Sequence, residues 1–371
     1  MCKPISAIVT PDGDIKYNLW TSSHEDLVRM YKLNDTPTPS GEPRFARIEY
    51  HPVDTSDMGD ISKYKLLIDE QRCPEWLSET LKKSVESRMK IVVSGIIVTG
   101  EVDFLCGGVF ILAEGARVKS VQDAMIIVMS GSSSVGEMRG SSKVGEMSGS
   151  SSVGVMLGSS KVGVMWGSSN VGEMLGSSSV GEMWESSKVG EMFGSSSVGE
   201  MLGSSSVGRM RVSSTVGVMW ESSTVGEMWE SSTVGGMRGS SKVGEMSGSS
   251  SVGEMSGSSS VGEMFESSSV GEMRVSSKVG EMRGSSNVGV MWESSSVGVM
   301  SGSSSVGVMS GSSSVGEMWG SSSVGDMRGS SSVGEMSGSS SVGRMWESSK
   351  VGEMRGSSKV ANHNSAIPLP K

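Results

Sequence analysis

Cysteine and histidine are scarce in this chain, and each scarcity removes a class of function. Three cysteines occur in 371 residues. Cys2, Cys73 and Cys106 are odd in number and widely spaced, so neither a disulfide framework nor a zinc site with C-x-x-C spacing can be read from them. A reduced, cytoplasmic chain is the simpler expectation. The three histidines, His24, His51 and His363, stand isolated, and no G-x-S-x-G elbow or G-x-x-x-x-G-K-S phosphate loop accompanies them. No catalytic residue, no cofactor and no metal ligand is therefore assigned, and the protein is expected not to be an enzyme. His24 within "SSHED" reads as a first-turn helix residue. No run of eighteen apolar residues is present, and "MCKPISAIVTPDGDIKYNLW" lacks the basic-then-apolar order of a secretory signal. Neither secretion by that route nor a membrane span is expected. With 32 basic against 41 acidic side chains and a net charge of -9, the chain also lacks the basic stripe that a nucleic-acid partner demands.

What the chain has in abundance is one phrase. From Gly131 to Arg355, twenty-five consecutive nine-residue units follow the pattern of "GSSSVGEMR". That leaves room for one small conventional domain. The organisation read from the sequence is a small α+β domain over residues 1–107, degenerate first solenoid units over 108–130, the regular repeats over 131–360, and a tail over 361–371. In the tail, Pro368 and Pro370 cannot donate ladder hydrogen bonds and are expected to discourage a further chain from adding.

In the first region, "ISAIVTPDGDIKYNLW" predicts two short strands around a Pro-Asp-Gly turn. "SSHEDLVRMYKLND" predicts a short helix with Ser22 or Ser23 as N-cap and Leu27, Met30 and Leu33 on one face. "RFARIEYHPV" and "YKLLIDE" read as strands. "CPEWLSETLKKSVESRMKIVV" predicts a second helix with Pro74 at its first position and Trp76, Leu77, Leu81, Val85 and Met89 on one face. "SGIIVTGEVDFLCGGVFILAEG" then returns to strand-like runs broken by glycines.

The segments "SSHEDLVRMYKLND", "YKLLIDEQRCPEWL" and "GEVDFLCGGVFILAEGARV" resemble the N-terminal module of uncharacterised bacterial and bacteriophage repeat proteins. In that family a short α/β module precedes tandem units of the type small residue, x, Val, x, x, Val. Here Met replaces the second Val and Ser the usual Ala. The resemblance covers most of the chain and implies an architecture and a microbial or phage setting, with virion association as an alternative to a free cytoplasmic protein. It implies no activity.

Within the units, Ser at positions two and three, Val at five, Gly at six and Met at eight never change, whereas positions one, four, seven and nine vary. This contrast separates an inside from an outside: three, five and eight inward; four, seven and nine outward. Val135 and Met138, three apart, can share a face only if the strand bends between them, and Gly136 is placed to allow the bend. A bending unit that stacks on its neighbours predicts a parallel β-solenoid, the fold class expected here. Two units per coil is favoured over one, because nine residues are very few to enclose a filled interior. The bland alternative is a disordered Gly/Ser tract. Against it stand the unchanging positions and upstream units, Ala116, Val118, Val121 and then Ala124, Ile126, Met129, that keep the spacing with other residues.

Nonapeptide coils bring calcium to mind, but calcium β-rolls need an Asp in each turn and Asp326 is the one Asp in the repeats. Glu ladders such as Glu227, Glu245, Glu263 and Glu281 read as a solvated face. Ice binding would suit the Ser ladders, yet Arg, Lys and Trp interrupt any flat plane. The remaining signal is position nine, which carries seven Trp and two Phe. With eighteen residues per coil, Trp166, Trp184, Leu202 and Trp220 align on one face, and Leu157, Leu175 and Phe193 on the other before Arg211 interrupts and Trp229 follows. These eight aromatic and aliphatic residues are the candidate interaction site. The functional expectation is a non-enzymatic interaction scaffold that contacts a protein partner or itself. The alternative is an enzyme or nucleic-acid adaptor in residues 1–107 with the solenoid as spacer.

Overall fold

A computed structural model describes residues 5–54 and 57–364. The fold is a parallel β-solenoid of about 15 turns preceded by a small antiparallel sheet with helices. The chain divides into two compact units, residues 1–152 and 153–371. Pro368 and Pro370 lie outside the described residues.

In the first unit, β1 (Ile5–Val9) and β2 (Ile15–Tyr17) form the expected hairpin, with Gly13 at φ 84°. They continue a sheet of order β2-β1-β3-β4 with β3 (Ala46–Pro52) and β4 (Tyr64–Ile68). Helix α1 (His24–Met30) is capped by Ser23, whose side chain accepts from the Asp26 amide, and it buries Leu27 against Ile8 and Phe45. The opposite face of the sheet, Ala7, Val9, Ile48 and Tyr50, packs with Val85, Met89 and Val93 of α2 (Glu79–Ser94). The start of α2 corrects the expectation from Pro74. Ser78 is the N-cap and accepts from Leu81, while Pro74 to Leu77 form a separate turn closed by the Leu77 amide. A hydroxyl that satisfies an orphan helix amide outcompetes a proline that merely tolerates the position.

The winding begins with β5 (Ile97–Val98) and β6 (Glu101–Cys106), the first strands of two separate parallel sheets. β7 (Val109–Leu112) and β9 (Met125–Met129) extend the first sheet, and β8 (Arg117–Gln122) extends the second. The core of the antiparallel domain includes Val109, Ile111, Ile127 and Val128. The domain therefore packs on the flank of the first coils. Gly59 marks the close approach, since a Cβ there would stand 2.6 Å from the Ala113 Cβ.

In the second unit the strands run from position four to position eight, as in Ser179–Met183 and Lys188–Met192, with Ser341–Trp346 and Lys359–Asn364 one residue longer. Strands pair with those eighteen residues away, Val180 with Val198 and Met183 with Met201, so each coil holds two nonapeptides. Val, Met and the position-three Ser are buried until the last coil, where Met354 is half-buried, while four, six and seven face out or lie half-buried except at Asp326. The inward assignment from sequence is therefore the observed one. Ladder partners fall at positions four, five, seven and eight and skip six, where the strand bends so that Val and Met share a face. The turns are stacked as well. The amides of Leu175, Ser177 and Ser179 donate to the carbonyls of Met156, Gly158 and Ser160 in the preceding coil, which leaves little backbone unpaired.

Position six is glycine for a reason beyond flexibility. Its φ is not positive, but a Cβ on Gly181, Gly190 or Gly244 would stand 2.5 Å from the carbonyl oxygen of the glycine one coil earlier. Position three is a buried Ser whose hydroxyl donates within its own turn in a few units and has no partner in most, as at Ser187 and Ser241. Ser295 and Ser349 donate to the carbonyls of Trp292 and Trp346, three residues before, at 2.8 Å.

Position one has positive φ in every unit for which a value is given: Gly176 lies at 73°, Glu221 at 55°, Val212 at 64° and Val275 at 62°. The turn is closed by contacts such as the Ser214 amide on the Arg211 carbonyl. A β-branched residue is least suited to this region. Val212→Gly and Val275→Gly are therefore expected to stabilise the chain by about 0.5–1 kcal/mol each, the relieved strain exceeding the added unfolded-state entropy. Thermal unfolding of the double variant checks this, and a lowered midpoint would contradict it.

Candidate functional site

Position nine closes each strand and opens each turn, so its side chain leaves the solenoid at a corner. Its amide still pairs along the stack, that of Trp184 donating to the Met165 carbonyl at 2.9 Å. The backbone thus fixes neighbouring side chains at the coil spacing, near the separation of stacked rings. Trp166 and Trp184 stack with centroids 4.9 Å apart and planes 16° from parallel. Leu202 and Trp220 follow on this corner, and all four are half-buried.

The other corner carries Leu157, Leu175 and Phe193, also half-buried, and then Arg211. Arg211 does not break the strip. Its guanidinium lies over the Phe193 ring at 5.5 Å, so the expected interruption is replaced by a cation–π contact. The same step recurs eighteen residues apart in Arg238 over Trp220, at 4.8 Å, and Arg283 over Phe265, at 5.5 Å. Each arginine covers one aromatic face. Trp229, beyond Arg211, is 38% exposed, and Trp292, Trp319 and Trp346, which follow Arg or Ser, are exposed singly.

Position seven decides how each indole N–H is satisfied. Where it is Glu, the carboxylate two residues before accepts: Glu182 from Trp184, Glu227 from Trp229 and Glu317 from Trp319, at 2.8–3.0 Å. Trp220 follows Val218, and its buried Nε1 has no acceptor. The acidic ladder is crossed by basic residues. Arg209 bridges Glu191 and Glu227 at 3.1 and 3.3 Å. Asp326 is buried beneath Arg344 and Arg328. Burial pushes its carboxyl up, but hydrogen bonds from Arg344 and then Arg328 hold it below the ordinary carboxylate range. Its oxygens face guanidinium groups, which fits a structural ion pair and not a calcium turn.

A second polar concentration, which sequence reading missed, lies on the α1 side of the antiparallel sheet. Arg47, Glu49 and His51 alternate with buried residues along β3 and so share a face. His24 joins them from the first turn of α1, and Asp69 follows β4. His24 Nδ1 lies 3.0 Å from Asp69, and Nε2 lies 3.0 Å from the Ile48 carbonyl oxygen. Arg47 reaches Asp35, Glu70 and Glu25 at 2.7, 3.3 and 3.4 Å. Residues 24, 49 and 69 are too far apart in sequence for a spacing motif to link them. The period-two alternation of β3 was the one available signal.

Cys73 and Cys106 are free and exposed, while Cys2 lies outside the described residues. His363 falls in the last strand. A cavity of about 50 Å³ lined by Ile5, Leu19, Trp20, Met125 and Ile127 offers no titratable side chain. Among the described residues no helix is long and apolar enough to cross a membrane. Comparison with protein-family models, with curated proteins and with solved structures finds no match for this chain.

Proposed function

We propose that the protein is a non-enzymatic scaffold whose solenoid presents strips of position-nine side chains for protein contact or self-assembly, in a microbial or phage setting. The observation that carries the reading is the stacked Trp166–Trp184 pair, continued by Leu202 and Trp220. Hydrogen bonds along the backbone hold these rings in place, so little side-chain entropy is lost when a partner covers them. An aromatic strip edged by arginine has the composition of a contact surface. The repeats of Val and Met supply a core, and the variable positions lie at the corners and faces where a partner would read them.

The test compares two triple variants. Trp166, Trp184 and Trp220 form part of one continuous strip, whereas Trp292, Trp319 and Trp346 stand alone at 43%, 48% and 37% exposure. Replacing the first trio by Ser is expected to weaken self-association, followed by sedimentation velocity, by about tenfold or more, since buried aromatic anchors dominate interfaces. Replacing the second trio should change it little. Equal losses, or a wild-type chain that stays monomeric at every concentration and retains no partner, would remove the reading.

A further inference from the structure

Both histidines of the β3 face are held in an arrangement that a neutral ring does not satisfy. The Ile48 carbonyl can only accept, so His24 Nε2, 3.0 Å away, carries the hydrogen. In a neutral imidazole Nδ1 then holds a lone pair, and it faces the Asp69 carboxylate at 3.0 Å. His51 repeats the pattern in mirror fashion. Its Nδ1 lies 2.7 Å from the Pro52 carbonyl oxygen, and its Nε2 faces Glu49 at 3.5 Å. Each lone pair then faces a carboxylate oxygen, an arrangement that a cation between them would satisfy. Arg47 is engaged with Asp35, Glu70 and Glu25.

Donor atoms of His24, Glu49 and Asp69 all lie within 4.8 Å of one another. They come from three elements, α1, β3 and the end of β4, which fixes their convergence by tertiary packing. The His24 side chain is 9% exposed and Asp69 58%, so the group has a buried wall and a side open to solvent. The carbonyl on the far nitrogen of His24 is the partner that metal-bound imidazoles commonly have, because it sets the tautomer and aims the lone pair.

We propose that His24 Nδ1, Asp69 and Glu49 bind one divalent transition-metal ion. One imidazole and two carboxylates make a borderline donor set suited to Zn2+, with the coordination completed by water on the open side. The site is independent of the position-nine strips.

The test uses the full chain with Cys2, Cys73 and Cys106 changed to Ser, which removes competing thiolates, stripped with a chelator. Titration with Zn2+ by calorimetry should show one equivalent, and Co2+ should give visible absorption that Zn2+ abolishes. Asp69→Asn and Glu49→Gln should each weaken binding at least tenfold, and His24→Ala should abolish it. Asp69 is mostly exposed, so its variant remains informative even if removal of His24 disturbs folding. Lack of stoichiometric binding, or unchanged affinity in Asp69→Asn, would overturn the proposal.

Discussion

Adding a single methyl group at Gly244 is expected to destabilise the solenoid by about 2–3 kcal/mol, at the upper end for overpacking. The Cβ of Gly244→Ala would stand 2.5 Å from the Gly226 carbonyl oxygen and 3.5 Å from its carbon. Neither contact involves a side chain that can rotate away. Relief requires the two coils to separate, and separation lengthens the amide-to-carbonyl bonds that hold strands and turns together, such as Lys242 to Ser223 and Ser240 to Glu221. The next coil applies the same constraint from the other side, because a Cβ on Gly262 would meet the Gly244 carbonyl oxygen at 2.4 Å. Lys119 and Ile127 hold the equivalent place in the first coils, below Gly136 and Gly145, so the exclusion belongs to the regular stack and not to the fold in general. The comparison is Gly239→Ala at position one, where neighbouring units already carry Glu221 and Glu230 at φ 55° and 59°. Its Cβ would stand 3.0 Å from the Glu221 backbone, against 2.5 Å for the contact at Gly244, so that variant should cost about 1–2 kcal/mol, mainly the penalty of left-handed backbone. Hydrogen exchange read coil by coil is the suitable measurement, since stacked repeats open locally and a single unfolding midpoint understates a local defect. Similar loss of protection around residues 239 and 244 would refute the close-approach account.

Position six also shows where sequence reading stops. The unchanging Val, Met and Ser columns were legible as an interior because comparison among units replaces comparison among proteins. The eighteen-residue coil followed from the small size of a single unit. A glycine, however, has no side chain whose variation can be compared, and its neighbour lies eighteen residues away, so the local argument about bending found only half of its role. The same limit explains the rest. Ile127 and Val128 look like ordinary strand residues, and their burial under the antiparallel domain depends on packing between distant segments. Ser78 and Pro74 are both acceptable near a helix start, and the structure decides for the residue whose side chain makes a bond. Arg211 was read as a break in the strip because hydropathy ranks it apart from Phe193, although its flat guanidinium stacks on the ring. His24, Glu49 and Asp69 meet only once β3 and β4 pair and α1 docks, which no spacing rule registers.

The inward assignment itself carries the other large expected effect. Met246 is fully buried and stands in register with Met228 before it and Met264 after it. Met246→Asp places a carboxylate between thioethers, with no donor supplied by the invariant Val and Met columns on either side. An unpaired buried charge costs several kcal/mol, and about 4 kcal/mol or more is expected near neutral pH. The sign of the pH dependence follows from burial. Desolvation raises the introduced carboxyl's folded pKa above its unfolded value near 4, so the neutral acid is the better tolerated form in the fold. The defect should therefore shrink as pH falls from the raised folded value toward the unfolded one, and be largest above both. The control is Arg238→Ser on the outward corner. Arg238 is exposed and lies over Trp220 at 4.8 Å, so its loss should cost about 0.5–1 kcal/mol, the worth of a surface cation–π contact. Circular dichroism melts of both variants at pH 7 and pH 5 provide the readout. If both variants melt alike at pH 7, or if Met246→Asp is no less damaging at pH 5, the eighth position is not the dry interior that holds the coils together.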